Sequence, residues 1–336
     1  MTSLIAAHLN GTGSYAWSDY VERRPGADQV VLKLHARSLN FRDVLIRNGR
    51  YAIPAIPGVV ALADGAGEVV ALGERVDRVT LGDRVVTAYF PRWIDGPLST
   101  RDLALEQFGC TRDGTLAPFV VAPAQALVKS PSHLSFEEAA TLPCAALTAW
   151  SALTGPRPIL PGETVLTIGT GGVSLFAVQF AQLFGARVLA ITSTDEKVDF
   201  LKNLGADYVI NYRSTPAWEI AVRDATGGRG VDRVVELGGS DTLPKSLKSI
   251  ATGGEVALVA VLSAGTIDVT LLGSNAFTLR RVFVGSRGQF EAMNRAIELH
   301  RVRPVIDRVF PFEAAEEAYE HFAAARHLGK VVITGP

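Results

Sequence analysis

The chain of 336 residues contains only two cysteines, Cys110 and Cys144. Two thiols so far apart cannot form a four-cysteine zinc knuckle or a disulfide framework. No cluster of Lys and Arg stands out, and the formal net charge is −1. This gives no electrostatic footprint for nucleic acid or for an anionic membrane surface. No uninterrupted apolar run reaches the length of a membrane span. The first residues, Met1 to His8, lack the basic region and apolar core of a secretory leader, so a cytoplasmic protein is expected. Internal repeats and low-complexity tracts are missing too. What remains is an ordinary composition, 48% hydrophobic and 20% charged, in a chain long enough for two domains with substantial cores.

The pattern changes character along the chain. Between about Val30 and Val121, short β-type runs alternate with glycine and proline, as in Val30 to Leu34, Gly67 to Gly73 and Gly82 to Val86. These predict an all-β unit, partly closed to hide its edges. Ser135-Phe136-Glu137-Glu138 reads as a capping box before an alanine-rich helix, which Pro143 should break or kink. After Pro161-Gly162, strand-like and helix-like runs alternate from Thr164 to Val261, and Val282 to Val284 is expected as a sixth strand. Such alternation predicts a parallel sheet covered on both faces. A helix over Phe290 to His300 follows, and the last segment carries the strand-like run Lys330 to Thr334, which could return to the β unit.

The most informative stretch is Thr164 to Phe184. An apolar strand runs into Gly169-Thr170-Gly171-Gly172-Val173-Ser174 and then into an apolar helix. Gly169 allows a sharp turn, and Gly171 or Gly172 lets bare backbone approach a pyrophosphate at the positive end of the helix. The usual third glycine is Ser174. The next strand ends Ala190-Ile191-Thr192-Ser193 without the acid that binds ribose hydroxyls in NAD-binding units. Ser193-Thr194-Asp195-Glu196 reads as a further capping box. Lys197 in the first helical turn opposes the helix dipole unless an anion lies near it. A ribose 2′-phosphate would be such an anion, with Thr192 and Ser193 as hydroxyl donors. NADP(H) is therefore expected in preference to NAD(H), although a solvated surface lysine would also account for Lys197.

Taken together, these segments resemble the medium-chain dehydrogenase/reductase superfamily, in particular its zinc-independent branch of quinone reductases and zinc-type alcohol dehydrogenase-like proteins. The likeness rests on Ser38-Leu39-Asn40-Phe41-Arg42-Asp43, Asp64 to Val69, Gly82 to Val86, Ala139 to Pro143, the glycine turn, Leu204 to Tyr212 and Gly227 to Asp232. It implies an α/β protein: a GroES-like β domain over 1–128, completed by 302–336, and a Rossmann doubly wound parallel sheet over 129–301. It also implies a cleft between them for nicotinamide and substrate, and a homodimer or homotetramer. Tyr212 would lie beside the 2′-phosphate, and Thr148, Gly238, Val261, Ser286 and Lys330 would line the cofactor groove.

The positions matching the zinc ligands of relatives are Asn40, Ala63 and Cys144. An open catalytic zinc site needs three protein ligands, so no metal is expected. Without zinc, the negative charge left on a substrate oxygen after hydride transfer must be met by hydrogen-bond donors. Asn40, at the lost ligand position, and Tyr51, whose phenol can give a proton, are the candidates. Asp64 completes the set, with stabilisation of the following glycine turn as its alternative role. A quinone or conjugated enone spreads the developing charge and needs least Lewis-acid help. The expected partner is thus a small carbonyl, quinone or alcohol, with zinc-independent alcohol dehydrogenation and nicotinamide binding with little turnover as alternatives.

Overall fold

The structure is a computed structural model and describes residues 5–9, 15–21, 23–260, 262–263, 265–273 and 275–335. The chain divides into two compact units, Met1–Leu147 with Gly285–Pro336, and Thr148–Val284.

The second unit is built on a six-stranded parallel sheet. Its order is Tyr208–Asn211, Arg187–Thr192, Thr164–Ile168, Val231–Glu236, Ile250–Leu258 and Thr278–Arg281. All adjacent pairs run parallel. Every residue of Thr164–Ile168 is buried, as a central strand covered on both faces requires, and this explains its unbroken apolar character. The chain winds outward from this strand in one direction and then returns to wind in the other. The turn after Ile168 therefore lies at the point where strand order reverses, the usual ligand crevice of such sheets. The helix Gly172–Leu183 follows and buries Leu175, Phe176, Val178 and Phe180. Trp150 packs edge-on against Phe180 at 5.6 Å between ring centroids.

The edge strand differs from the sequence expectation, since Thr278–Arg281 pairs with Glu255 to Leu258 and Val282 to Val284 lies beyond it. Its pattern is not apolar because an edge has a neighbour on one side only. Arg280 instead reaches Glu255 at 2.8 Å, and Glu255 also meets the fully buried Arg233 at 3.3 Å.

The first unit carries a seven-stranded mixed sheet, in which Gln29–Ser38 pairs with Asp64–Leu72, Phe119–Pro123 and Lys330–Thr334. The last strand thus returns to the first long one. The buried Arg37 fixes that return, with its guanidinium donating to the carbonyls of Thr115, Ala117 and Gly335. Leu39, Leu62, Phe312, Tyr319 and Ile333 form the adjoining core. Ser135 caps its helix as expected: its hydroxyl accepts from Glu138 N at 3.2 Å and its amide donates to Glu138 Oε2 at 2.8 Å. That helix ends at Ala139, and Pro143 sits in a π-helical turn, Leu142–Ala146. Residues 129–147 and 285–301 cluster with this unit, whereas the sequence reading had placed them in the Rossmann domain.

Candidate active site

In the parallel-sheet unit, Gly169 turns the chain at φ +81°. Side chains there are strained, so glycine is the natural occupant. A Cβ on Gly169 or on Gly171 would meet nothing within 4 Å. Open space thus lies over the turn, bounded by backbone. Gly171 is the N-cap of the helix and offers no side-chain cap bond, so the first helical N–H groups are left for a ligand. Thr170 is buried, while Gly172 and Val173 are half-buried. Ser174 is buried and donates from Oγ to Ile168 O at 2.6 Å. The residue replacing the third glycine thereby ties the helix to the strand it follows.

At the end of the neighbouring strand, Thr192 is buried and its hydroxyl has no partner among the described residues. An orphaned buried hydroxyl is costly unless a ligand or water meets it. Ser193 and Lys197 are half-buried. The helix begins at Asp195 with Thr194 as N-cap and no side-chain cap bond, so the expected capping box starting at Ser193 does not form. Asp195 instead accepts from Asn211 Nδ2 at 2.7 Å, which turns the one nearby acid to the next strand. Tyr212 donates its N–H to Thr192 O at 2.9 Å and is 40% exposed. Thr192, Ser193, Lys197 and Tyr212 are gathered at the carboxyl edge of two adjacent strands. These residues fit the ribose of a nicotinamide dinucleotide, and the glycine turn fits its pyrophosphate.

The other cofactor candidates have varied surroundings. Thr148 is buried in the helix Leu147–Thr154. Gly238 leaves no room for a side chain, since a Cβ would fall 2.2 Å from Thr242 Oγ1. Its amide donates to Glu236 Oε1 at 2.7 Å. Glu236 is a residue the sequence reading missed: buried at the end of Val231–Glu236, it also accepts from Gly239 N, Thr242 Oγ1 and Ser246 Oγ and so shapes the loop. An acid at the end of this strand, two residues before Gly238-Gly239, was the available signal. Val261 lies outside the described residues. Ser286 belongs to the first unit, where its hydroxyl caps the helix Arg287–His300 by accepting from Gln289 N at 3.2 Å.

Within the first unit, Asn40 and Asp64 meet. Asn40 Nδ2 donates to Asp64 Oδ2 at 2.8 Å, and Ser38 Oγ donates to the same oxygen at 3.0 Å. Lys330 joins them from the last strand, donating to Asn40 Oδ1 at 2.6 Å and lying 3.7 Å from Asp64 Oδ2. Asn40 N–H donates to Asp43 Oδ2 at 2.9 Å, which starts the helix Phe41–Arg47. Burial raises the carboxyls of both acids, Asp43 to about 6 even with Arg42 beside it. Tyr51 lies apart from this pair, donating to Gln107 Oε1 at 3.0 Å with Tyr89 Oη at 3.1 Å. Arg42 underlies both phenol rings and contacts Gln107 and Asp43, so it links the two groups. Tyr89, Phe90 and Trp93 are all buried.

The residues at the zinc-ligand positions do not suit a metal. Ala63 offers no donor, and Asn40 is engaged by Asp64 and by the Lys330 ammonium. Burial pushes the Cys144 thiol up. A lysine cation hydrogen-bonded to the would-be ligand opposes a second cation there. Among the described residues no group of three His, Cys, Asp or Glu side chains converges.

Comparison with known proteins agrees with this architecture. Residues 26–132 match the alcohol dehydrogenase GroES-like domain and residues 172–299 match the zinc-binding dehydrogenase domain. A zinc-type alcohol dehydrogenase-like protein of Schizosaccharomyces pombe is 43% identical over 93% of this chain and 92% of its own length. The human quinone oxidoreductase is 28% identical over 94% of this chain and 92% of its own. Among solved structures, an NAD-dependent alcohol dehydrogenase superposes with a TM-score of 0.90 at 33% identity, covering 99% of this chain and 100% of that one. Mycobacterial Rv1454c in complex with NADPH gives 0.82 at 28% identity, covering 99% and 100%. The glycine turn on a doubly wound sheet, the GroES-like β unit and these likenesses converge: the chain belongs to the medium-chain dehydrogenase/reductase superfamily and is an oxidoreductase with quinone oxidoreductase-like and alcohol dehydrogenase-like relatives.

Proposed function

We propose that the chain is a zinc-independent NADP(H)-dependent reductase of quinones or α,β-unsaturated carbonyls. The observation that carries this reading is the buried ammonium of Lys330 bonded to Asn40, which by resemblance stands at a metal-ligand position of the zinc-dependent members of the superfamily. A site without Lewis acid favours acceptors that delocalise charge in their own π-system. When bound, the nicotinamide supplies a hydride to the electron-poor carbon. Backbone around Gly169, Thr170, Gly171, Gly172 and Val173 holds the pyrophosphate, and Thr192, Ser193, Lys197 and Tyr212 favour the 2′-phosphate. Thr148, Gly238 and Val261 are assigned to the cofactor groove by resemblance alone. Asn40 donates a hydrogen bond to the substrate oxygen as its charge develops, Asp64 orients Asn40, and Tyr51 returns a proton. The balance is one NADPH and one proton consumed for each enone converted to the saturated carbonyl.

Dehydrogenation of an alcohol without zinc is the second reading, favoured by the alcohol dehydrogenase-like relatives. A cytoplasmic location and a homodimer or homotetramer accompany the proposal, on family resemblance. No helix among the described residues is long and apolar enough to cross a membrane. The test is incubation with NADPH or NADH and, in turn, benzoquinone, a cyclic enone and an aldehyde, with loss of reduced nicotinamide absorbance as the readout. Turnover of quinone or enone with NADPH is expected. Turnover of the aldehyde alone supports the second reading, and tight NADPH binding without consumption overturns both.

A further inference from the structure

Lys330 is 2% exposed although lysine is among the residues least often buried. Its ammonium donates to Leu39 O and to Asn40 Oδ1, both at 2.6 Å, and forms an ion pair with Asp64 at 3.7 Å. Every one of these partners lies in the β unit, and two of the three ammonium N–H donors are spent on Leu39 and Asn40. The bond to Oδ1 also decides which way the Asn40 amide faces, because oxygen must meet the ammonium and nitrogen must meet the Asp64 carboxylate. An amide has two N–H donors, and one goes to Asp64. The second has no partner among the described residues.

We propose that Lys330 is a positioning residue for Asn40: it locks the amide with one N–H on Asp64 and the other free for a substrate or ribose oxygen, and its charge polarises the amide into a stronger donor. The chain thereby places a fixed cation one amide away from the reacting oxygen. Hydrogen bonds arranged in series strengthen one another in a low-dielectric interior. The assignment replaces the cofactor-groove role expected from resemblance. It rests on the proposed function for its effect on rate, though not for the geometry of the amide.

The experiment uses Lys330→Met, Asn40→Ala and the two combined. Three readouts are followed: NADPH affinity by fluorescence titration, steady-state kinetics with a cyclic enone at saturating NADPH, and the Asn40 side-chain amide resonance, identified by its loss in Asn40→Ala. Lys330→Met should leave NADPH affinity within about twofold, lower kcat by about tenfold or more, and shift the Asn40 resonance; the combined variant should be no slower than Asn40→Ala alone, as expected of residues acting as a unit. If Lys330→Met does not fold, Asp64→Asn with Lys330→Met removes both charges of the pair together and is read in the same way. A tenfold loss of NADPH affinity, an unmoved Asn40 resonance, or kcat losses that multiply would each overturn the proposal. If the wild-type protein turns over no enone or quinone, the proposed reaction fails. The resonance and the NADPH titration then still decide the role of Lys330.

Discussion

Replacing Gly171 by alanine separates the ligand role of the glycine turn from its folding role. Gly171 has φ −76° and ψ 175°, a conformation open to any residue, and a Cβ there would touch nothing within 4 Å. Reduced freedom of the unfolded chain should stabilise the variant by about 0.4–1 kcal/mol. The preference of an N-cap for glycine over alanine offsets this by about 1 kcal/mol. The net effect on stability is within about 1 kcal/mol of zero. Binding is different, because the new methyl enters the space through which a pyrophosphate must approach the backbone N–H groups. Losing one hydrogen bond to a charged group costs about 1.5–3 kcal/mol, or about 10- to 100-fold in affinity. Thermal melting and NADPH fluorescence titration, run on the same preparations, check both halves. An unchanged NADPH affinity would refute the cradle, and a fall in affinity that only tracks a lost melting temperature would refute the separation of roles.

Gly169→Ala should behave in the opposite sense. At φ +81° the alanine costs about 1–2 kcal/mol in stability, visible as a lower melting temperature without cofactor. Lys197→Ala should lower kcat/KM for NADPH by about tenfold, the loss of one charge-assisted contact, and leave the value for NADH unchanged; equal effects on the two would remove Lys197 from the 2′-phosphate site. Ser174→Ala leaves the buried Ile168 carbonyl without its partner and should cost about 1–2 kcal/mol by chemical denaturation. Tyr51→Phe should reduce kcat with an enone by about 100-fold if its phenol returns the proton, whereas a change within twofold would mark Tyr51 as packing against Arg42.

Much of this was legible from residues alone, for definable reasons. Thr164–Ile168 is bounded as expected because it ends at sharp punctuation, the glycine turn. The edge strand was misplaced by several residues because edge burial is one-sided and leaves no apolar run. The glycine turn was readable as a motif, but the tie from Ser174 to Ile168 was not, since a hydroxyl in sequence has no direction. Asn40 and Asp64 were chosen separately. Their meeting depends on pairing of the strands that carry Ser38 and Asp64, a long-range register no local pattern encodes. Lys330 shows the limit most plainly: resemblance puts it in the cofactor groove, whereas its bond to Asn40 follows from the pairing of the last strand beside Ser38, which no local pattern encodes. Ser286 likewise closes a capping box, with Gln289 three residues on as the overlooked signal.

The proposed reaction is hydride transfer from NADPH without a metal. The most direct measurement takes protein stripped with a chelator and shown by metal analysis to be free of zinc. It is incubated with a cyclic enone and NADPH carrying deuterium at both positions of the hydride-bearing carbon, and the product is weighed by mass spectrometry. One deuterium in each saturated product and one NADPH consumed for each enone are expected. Absence of transfer until zinc is added would contradict the proposed reaction.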